Sequence, residues 1–183
     1  MMRHLHPRRL GSTVFLTVAG VGLLPTGAAP QRTKGALPAP IRAQLARAYP
    51  GWRFAAVAPE LRAQLASGQT PDWIAGDFDA DGRRDYAVQI VRPSSRDGAQ
   101  YVLAFLRRGA RYRQLVVDSF PETQGSYLAL ARRGERIADL EADPNGDSTF
   151  VLRSDAIHVL FGQESGGTCV YERGRFRCVV SSD

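Results

Sequence analysis

Lysine, histidine and cysteine are scarce in this 183-residue chain, and each scarcity narrows what the protein can do. Lys34 is the single lysine, so the basic charge is carried almost wholly by arginine. Histidine occurs at positions 4, 6 and 158; with one imidazole beyond the N-terminal segment, a multi-histidine zinc site is excluded. Cys169 and Cys178 are the only thiols, too few for a four-thiolate centre, and no cysteine near residue 29 offers a lipid attachment point. Outside residues 10–24, no apolar run approaches the roughly 20 residues of a spanning helix. Acidic residues are missing from positions 1–29, which hold Arg3, Arg8 and Arg9. Removing that segment leaves 21 basic against 18 acidic residues, so the formal +6 falls to +3 and no nucleic-acid partner is expected.

What those first residues contain is the three-part pattern of a signal peptide: a basic start, an apolar run over 10–24, then Pro25 and the small residues Gly27, Ala28 and Ala29. Cleavage is expected after Ala28 or Ala29, with no membrane span remaining and a secreted or periplasmic destination. The Arg8-Arg9 pair is followed by Leu10, Gly11 and Ser12 rather than the apolar residues of a twin-arginine signal, so general secretion is the expected route. Residues 30–40, rich in Pro, Gly and Ala, read as a linker, and 41–183 as a single globular domain.

Within that domain the hydrophobic period changes once. Ile41, Leu45, Ala48 and Tyr49, then Leu61 and Leu65, recur at helical spacing and predict two short helices. From Trp73 onward alternating runs separated by turn residues predict about ten strands: 73–77, 85–92, 100–107, 111–118, 127–132, 136–141, 149–153, 156–161, 168–172 and 175–180. The expected class is α+β, mainly β: an antiparallel meander with the helices packed on or beside it. Turn residues agree, with Arg-Gly pairs ending at Gly109, Gly134 and Gly174 and the turn formers Asp143, Pro144, Asn145 and Gly146. A two-residue turn at Arg173-Gly174 sets Glu172 opposite Arg175, Tyr171 opposite Phe176, Val170 opposite Arg177 and Cys169 opposite Cys178. That register predicts a Cys169–Cys178 disulfide in an oxidising compartment.

The strongest chemical signal is Asp77, Asp79, Asp81 and Asp85 around Gly82. Carboxylates at positions 1, 3, 5 and 9, with glycine at 6, let a loop wrap oxygens around one hard cation. The four aspartates and the Arg83 backbone carbonyl would supply most of the six to eight oxygens that calcium takes, with water for the rest. Position 12, where a helix-loop-helix calcium hand carries glutamate, is Val88, and Tyr86, Val88 and Ile90 alternate as a strand, so the loop joins two strands.

Residues 75–88 resemble the calcium loop of FG-GAP or VCBS-type repeats, known from the integrin alpha-chain propeller and from many secreted bacterial proteins. With the apolar strand that follows, the resemblance covers about 16 residues, and it implies a calcium cofactor held by Asp77, Asp79, Asp81, the Arg83 carbonyl and Asp85. Here the motif occurs once, and about ten strands make too few four-stranded blades for a closed propeller.

Other constellations are weaker. Asp139, Glu141, Asp143, Asn145 and Asp147 lack the glycine position of the first loop and read as a polar strand end and loop. His158 shares a strand face with Ala156 and Leu160 and reads as a hydrogen-bonded sheet histidine. Ser165 lacks the preceding glycine of a nucleophile elbow. In a simple meander the Arg-Gly turns fall at the same end as the Asp77 loop, where Arg108, Arg111, Arg133, Arg136, Arg173 and Arg175 could hold an anionic small molecule or acidic glycan, or could serve only as soluble hairpin tips. The expected function is that of an exported calcium-binding domain with a structural or ligand-binding role; the alternative is a small secreted carboxylate-dependent hydrolase, for which Glu141 and Asp143 are a candidate pair.

Overall fold

The computed structural model describes residues 36–64, 72–92, 99–121, 125–143, 147–162 and 165–182, all within one compact unit. The expected signal peptide, residues 30–35 of the expected linker, Leu65, Pro144, Asn145, Gly146, Gln163 and Glu164 lie outside the described residues.

The chain opens with α1 (Ala39–Ala48), β1 (Arg53–Phe54) and the short α2 (Pro59–Gln64). Helix α1 starts inside the stretch read as linker, because Pro40 fits a first helical turn, where no backbone donor is needed, and Leu37 is buried beneath the helix. It is the only helix of more than two turns among the described residues; the second expected helix makes about one and a half turns. No described helix is long and apolar enough to cross a membrane.

The molecule is mostly β, and every pairing is antiparallel. The first sheet contains β1, β2 (Trp73–Gly76), β3 (Asp85–Val91), β4 (Ala99–Arg108) and β5 (Arg111–Pro121), with β1 and β2 both pairing with β3. The second runs β11-β10-β9-β6, from β6 (Ser126–Ala131), β9 (Ala156–Phe161), β10 (Ser165–Glu172) and β11 (Arg175–Ser182). A separate ribbon pairs β7 (Arg136–Ala138) with β8 (Thr149–Val151). The single meander expected from the alternation is thus divided into two sheets and a ribbon. A period of two says which residues share a strand face but not which sheet the strand joins.

The division has an energetic reason, since each sheet has apolar faces to cover. Ile74, Ala87, Val102, Ala104 and Leu106 of the first sheet meet Leu128, Ile157, Val159 and Cys169 of the second in one core. The other face of the first sheet takes Ile41 and Leu45 of α1 against Val88, Ile90, Leu103 and Phe105. The ribbon covers the outer face of the second, with Ile137 packed on Ala131, Ala156, Val170 and Val179. Between the sheets Gln89, itself fully buried, donates from Nε2 to the Ser126 carbonyl at 3.0 Å, a polar link across the core. The C-terminal hairpin has the predicted register, and Cys169 and Cys178 are joined by a disulfide. His158 lies within hydrogen-bonding reach of Thr168 Oγ1, at 2.8 Å from Nδ1, and burial lowers its pKa.

Candidate metal centre

The Asp77–Asp85 loop joins β2 to β3 at one end of the sandwich, and its shape follows from a few residues. Phe78 is fully buried in the inter-sheet core, which stabilises the loop's entry by about 1.5–3 kcal/mol. Ala80 and Gly82 take the left-handed conformation, at φ 58° and 77°, and turn the chain back on itself. Glycine suits position 82 for its backbone freedom, since a Cβ there would meet nothing within 4 Å. Gly76 is constrained differently. A Cβ would lie 2.9 Å from Leu130 and 3.0 Å from both Phe78 and the Asp155 carboxylate, so a larger residue would require these side chains to shift.

Asp77 caps the turn: its Oδ1 and Oδ2 accept the backbone N–H groups of Asp81 and Gly82, each at 3.0 Å. Asp85 is fully buried, and its two oxygens accept the N–H groups of Phe78 at 3.0 Å and Arg107 at 2.7 Å. It therefore ties the loop to the end of β4. Burial pushes the Asp85 carboxyl up to about 6; the negative charges of Asp79 and Asp81 act in the same direction, against the two N–H donors.

Asp79 is satisfied on one side only. Its side chain is 5% exposed; Oδ2 accepts from Arg108 Nη2 at 2.5 Å, while Oδ1 is buried with no hydrogen-bond partner. Leaving such an oxygen unpaired costs about 1–3 kcal/mol. Oxygens of Asp77, Asp79 and Asp85 lie within 4.8 Å of one another, so these three carboxylates can hold a metal ion.

Asp81, read from the sequence as a fourth carboxylate ligand, is not part of this trio. Its Oδ1 accepts the Arg83 N–H at 2.9 Å and its Oδ2 takes Arg108 Nη1 at 3.3 Å. Arg83, expected to give its carbonyl, has its N–H committed to Asp81. Of the arginines expected near the loop, Arg108 bridges Asp79 and Asp81, and the backbone N–H of Arg133 reaches Asp155. Arg136 instead binds Thr149 on the ribbon.

Asp155 is the participant that the sequence conceals. Its Oδ2 accepts the Asp77 N–H at 3.1 Å, its Oδ1 accepts the Arg133 N–H, and its own N–H donates to the Asp77 carbonyl. It follows a bend rather than an alternating run, and 78 positions separate it from Asp77. Its only sequence signal is a carboxylate in the turn before β9. Within the second acidic stretch Asp139 accepts the Ala142 N–H and pairs with Arg177 at 3.8 Å. Among the described residues it forms no cluster able to hold an ion. No protein-family model, curated protein or solved structure matches this chain.

Proposed function

We propose that this is an exported domain whose Asp77–Asp85 loop binds one calcium ion, and that the ion braces the loop end of the two-sheet fold. The observation that carries this reading is the buried, unpartnered Oδ1 of Asp79 beside carboxylate oxygens of Asp77 and Asp85. A divalent cation would satisfy that oxygen and offset the mutual repulsion of the cluster. Calcium is favoured over magnesium because a carboxylate-rich loop with backbone oxygens suits a large ion of high coordination number. The likeness of residues 75–88 to FG-GAP and VCBS-type calcium loops points the same way. Export is supported by the signal-like N-terminus and by the Cys169–Cys178 disulfide, a bond that persists in oxidising compartments.

In this reading Arg108 is the resident counter-charge of the metal-free loop, and calcium entry displaces it from Asp79. The test is thermal unfolding with calcium or with a chelator. Millimolar calcium should raise the melting temperature, and Asp79→Ala should abolish the rise; an unchanged transition in the parent protein would falsify the assignment.

A hydrolytic role has one observation in its favour. A cavity of about 300 Å3, away from the loop, is lined by Asp118 and Glu141 over an apolar wall that includes Phe161 and Val179. Two carboxylates at one cavity suit general acid–base work on a small substrate. Chromogenic glycosides and esters test it: turnover lost in both Asp118→Asn and Glu141→Gln supports the role, and absence of turnover, or turnover that survives both changes, removes it.

A further inference from the structure

A cavity of about 740 Å3 lies between the ribbon and the tip of the C-terminal hairpin, and nothing in the calcium reading uses it. Its volume falls within the range of small-molecule sites. One wall comes from β8 and the turn after it, with Phe150, Val151 and Arg153; the other comes from the end of β10, the turn and β11, with Arg173 and Arg177.

Its three arginines are not equivalent. Arg177 is held by Glu172 and Asp139, each at 3.8 Å, and its guanidinium lies 5.7 Å from the centre of the Phe150 ring. Arg153 and Arg173 are exposed and, among the described residues, make no ion pair. Glu172 is the one acidic residue in the lining, so the cavity keeps an excess of positive charge. Val151 is 50% exposed, one of three large apolar residues so placed among those described. An exposed valine and a phenylalanine ring next to two uncommitted guanidinium groups form a composite surface. An inorganic anion would use only its charged half. Arginine's planar fork matches carboxylate and phosphate oxygens, whereas the apolar wall asks for hydrocarbon.

We infer that this cavity is a binding site for a small organic anion, with its carboxylate or phosphate head on Arg153 and Arg173 and its apolar body against Phe150 and Val151. Arg177 acts as a fixed cation beside the ring rather than as the primary contact. The site shares no carboxylate with the Asp77–Asp85 loop, so binding is independent of calcium and stands or falls separately from the metal assignment.

Titration calorimetry with phenyl phosphate, benzoate and inorganic phosphate, each in chelator, tests the inference, with amide shift mapping to locate the ligand. At least one organic anion should bind with shifts confined to residues 150–154 and 170–177, and the stronger of the two identifies the preferred head group. Arg153→Gln and Arg173→Asn should each weaken that binding about tenfold, as expected for loss of a hydrogen bond to a charged group, and Arg47→Gln on α1 should leave it unchanged. Asparagine is chosen at 173 because that residue sits at φ 49°, which asparagine tolerates; Arg153→Gln carries the test should the turn variant fail to fold. Inorganic phosphate binding as tightly as phenyl phosphate would overturn the proposal, as would absence of organic-anion binding at millimolar concentration or binding indifferent to Arg153→Gln.

Discussion

Residues 77–85 and residues 139–147 each place four carboxylates in nine positions, and among the described residues only the first stretch gathers three of its four. The difference lies in how each backbone turns. After Asp77 the chain buries Phe78, passes through left-handed Ala80 and Gly82, and returns to a buried Asp85, so three carboxylates face a common point. After Asp139 it makes a helix-like turn, with the Ala142 and Asp143 N–H groups bonded to the Asp139 carbonyl, and side chains radiate outward from such a turn. Asp139 then goes to Arg177, while Glu141 lines the small cavity beside the disulfide. Acidic density alone therefore says little about a cation site. What matters is whether the turn brings the carboxylates inward and whether something holds them there.

The contrast can be broken most sharply by substitution. Asp79→Ala should remove the whole calcium-dependent rise in melting temperature, whereas Asp147→Ala, at an exposed position of the second stretch, should leave it intact. Equal loss in both variants would mean that the two stretches respond to calcium alike and that the convergence of the first is incidental.

Acid provides the next largest effect. Asp85 has a folded-state pKa of about 6, above its ordinary carboxylate value, so the fold prefers the protonated form. This group's contribution to metal-free stability is fully present below the unfolded value near 3.8 and is lost as pH rises through about 6. Calcium requires the ionised form, so its apparent affinity should fall below pH 6, by up to about tenfold per unit for one displaced proton. Calcium titrations between pH 5 and pH 7 read this directly. A flat affinity would show that Asp85 is not a ligand.

The smallest expected change belongs to Arg108. Its pairs with Asp79 and Asp81 hold the metal-free loop together, but the guanidinium is 41% exposed and solvent screens it. Arg108→Ala should tighten calcium binding several-fold by removing the competitor, while slightly destabilising the calcium-free protein. Weaker calcium binding in that variant would instead identify Arg108 as a support of the bound loop.

Much of the local structure is legible from spacing. Nearly every alternating run from Trp73 to Val180 corresponds to a strand, and the hairpin register that sets Cys169 against Cys178 follows from counting outward from Gly174. The loop motif likewise contains Asp77, Asp79 and Asp85, whose carboxylate oxygens the fold brings within 4.8 Å of one another. Less legible is the pairing of Asp81 with Arg108, because it depends on where β4 ends relative to the loop, 27 positions later in sequence. The anion cavity draws on residues 150–154, 170–173 and 177, whose proximity depends on how the ribbon folds over the second sheet.

The sequence by itself determined the short-range features: a period of two along each strand, glycine where the loop needs positive φ, and carboxylates at loop spacing. These arise from constraints acting within a few residues of backbone. Tertiary structure decided what those features meet. It separated one apparent meander into two sheets because each needed apolar faces covered, brought Asp155 beneath the loop, and set Arg108 on Asp79. Such pairings depend on which surfaces find one another when the core is buried, and no local pattern in the chain encodes that choice.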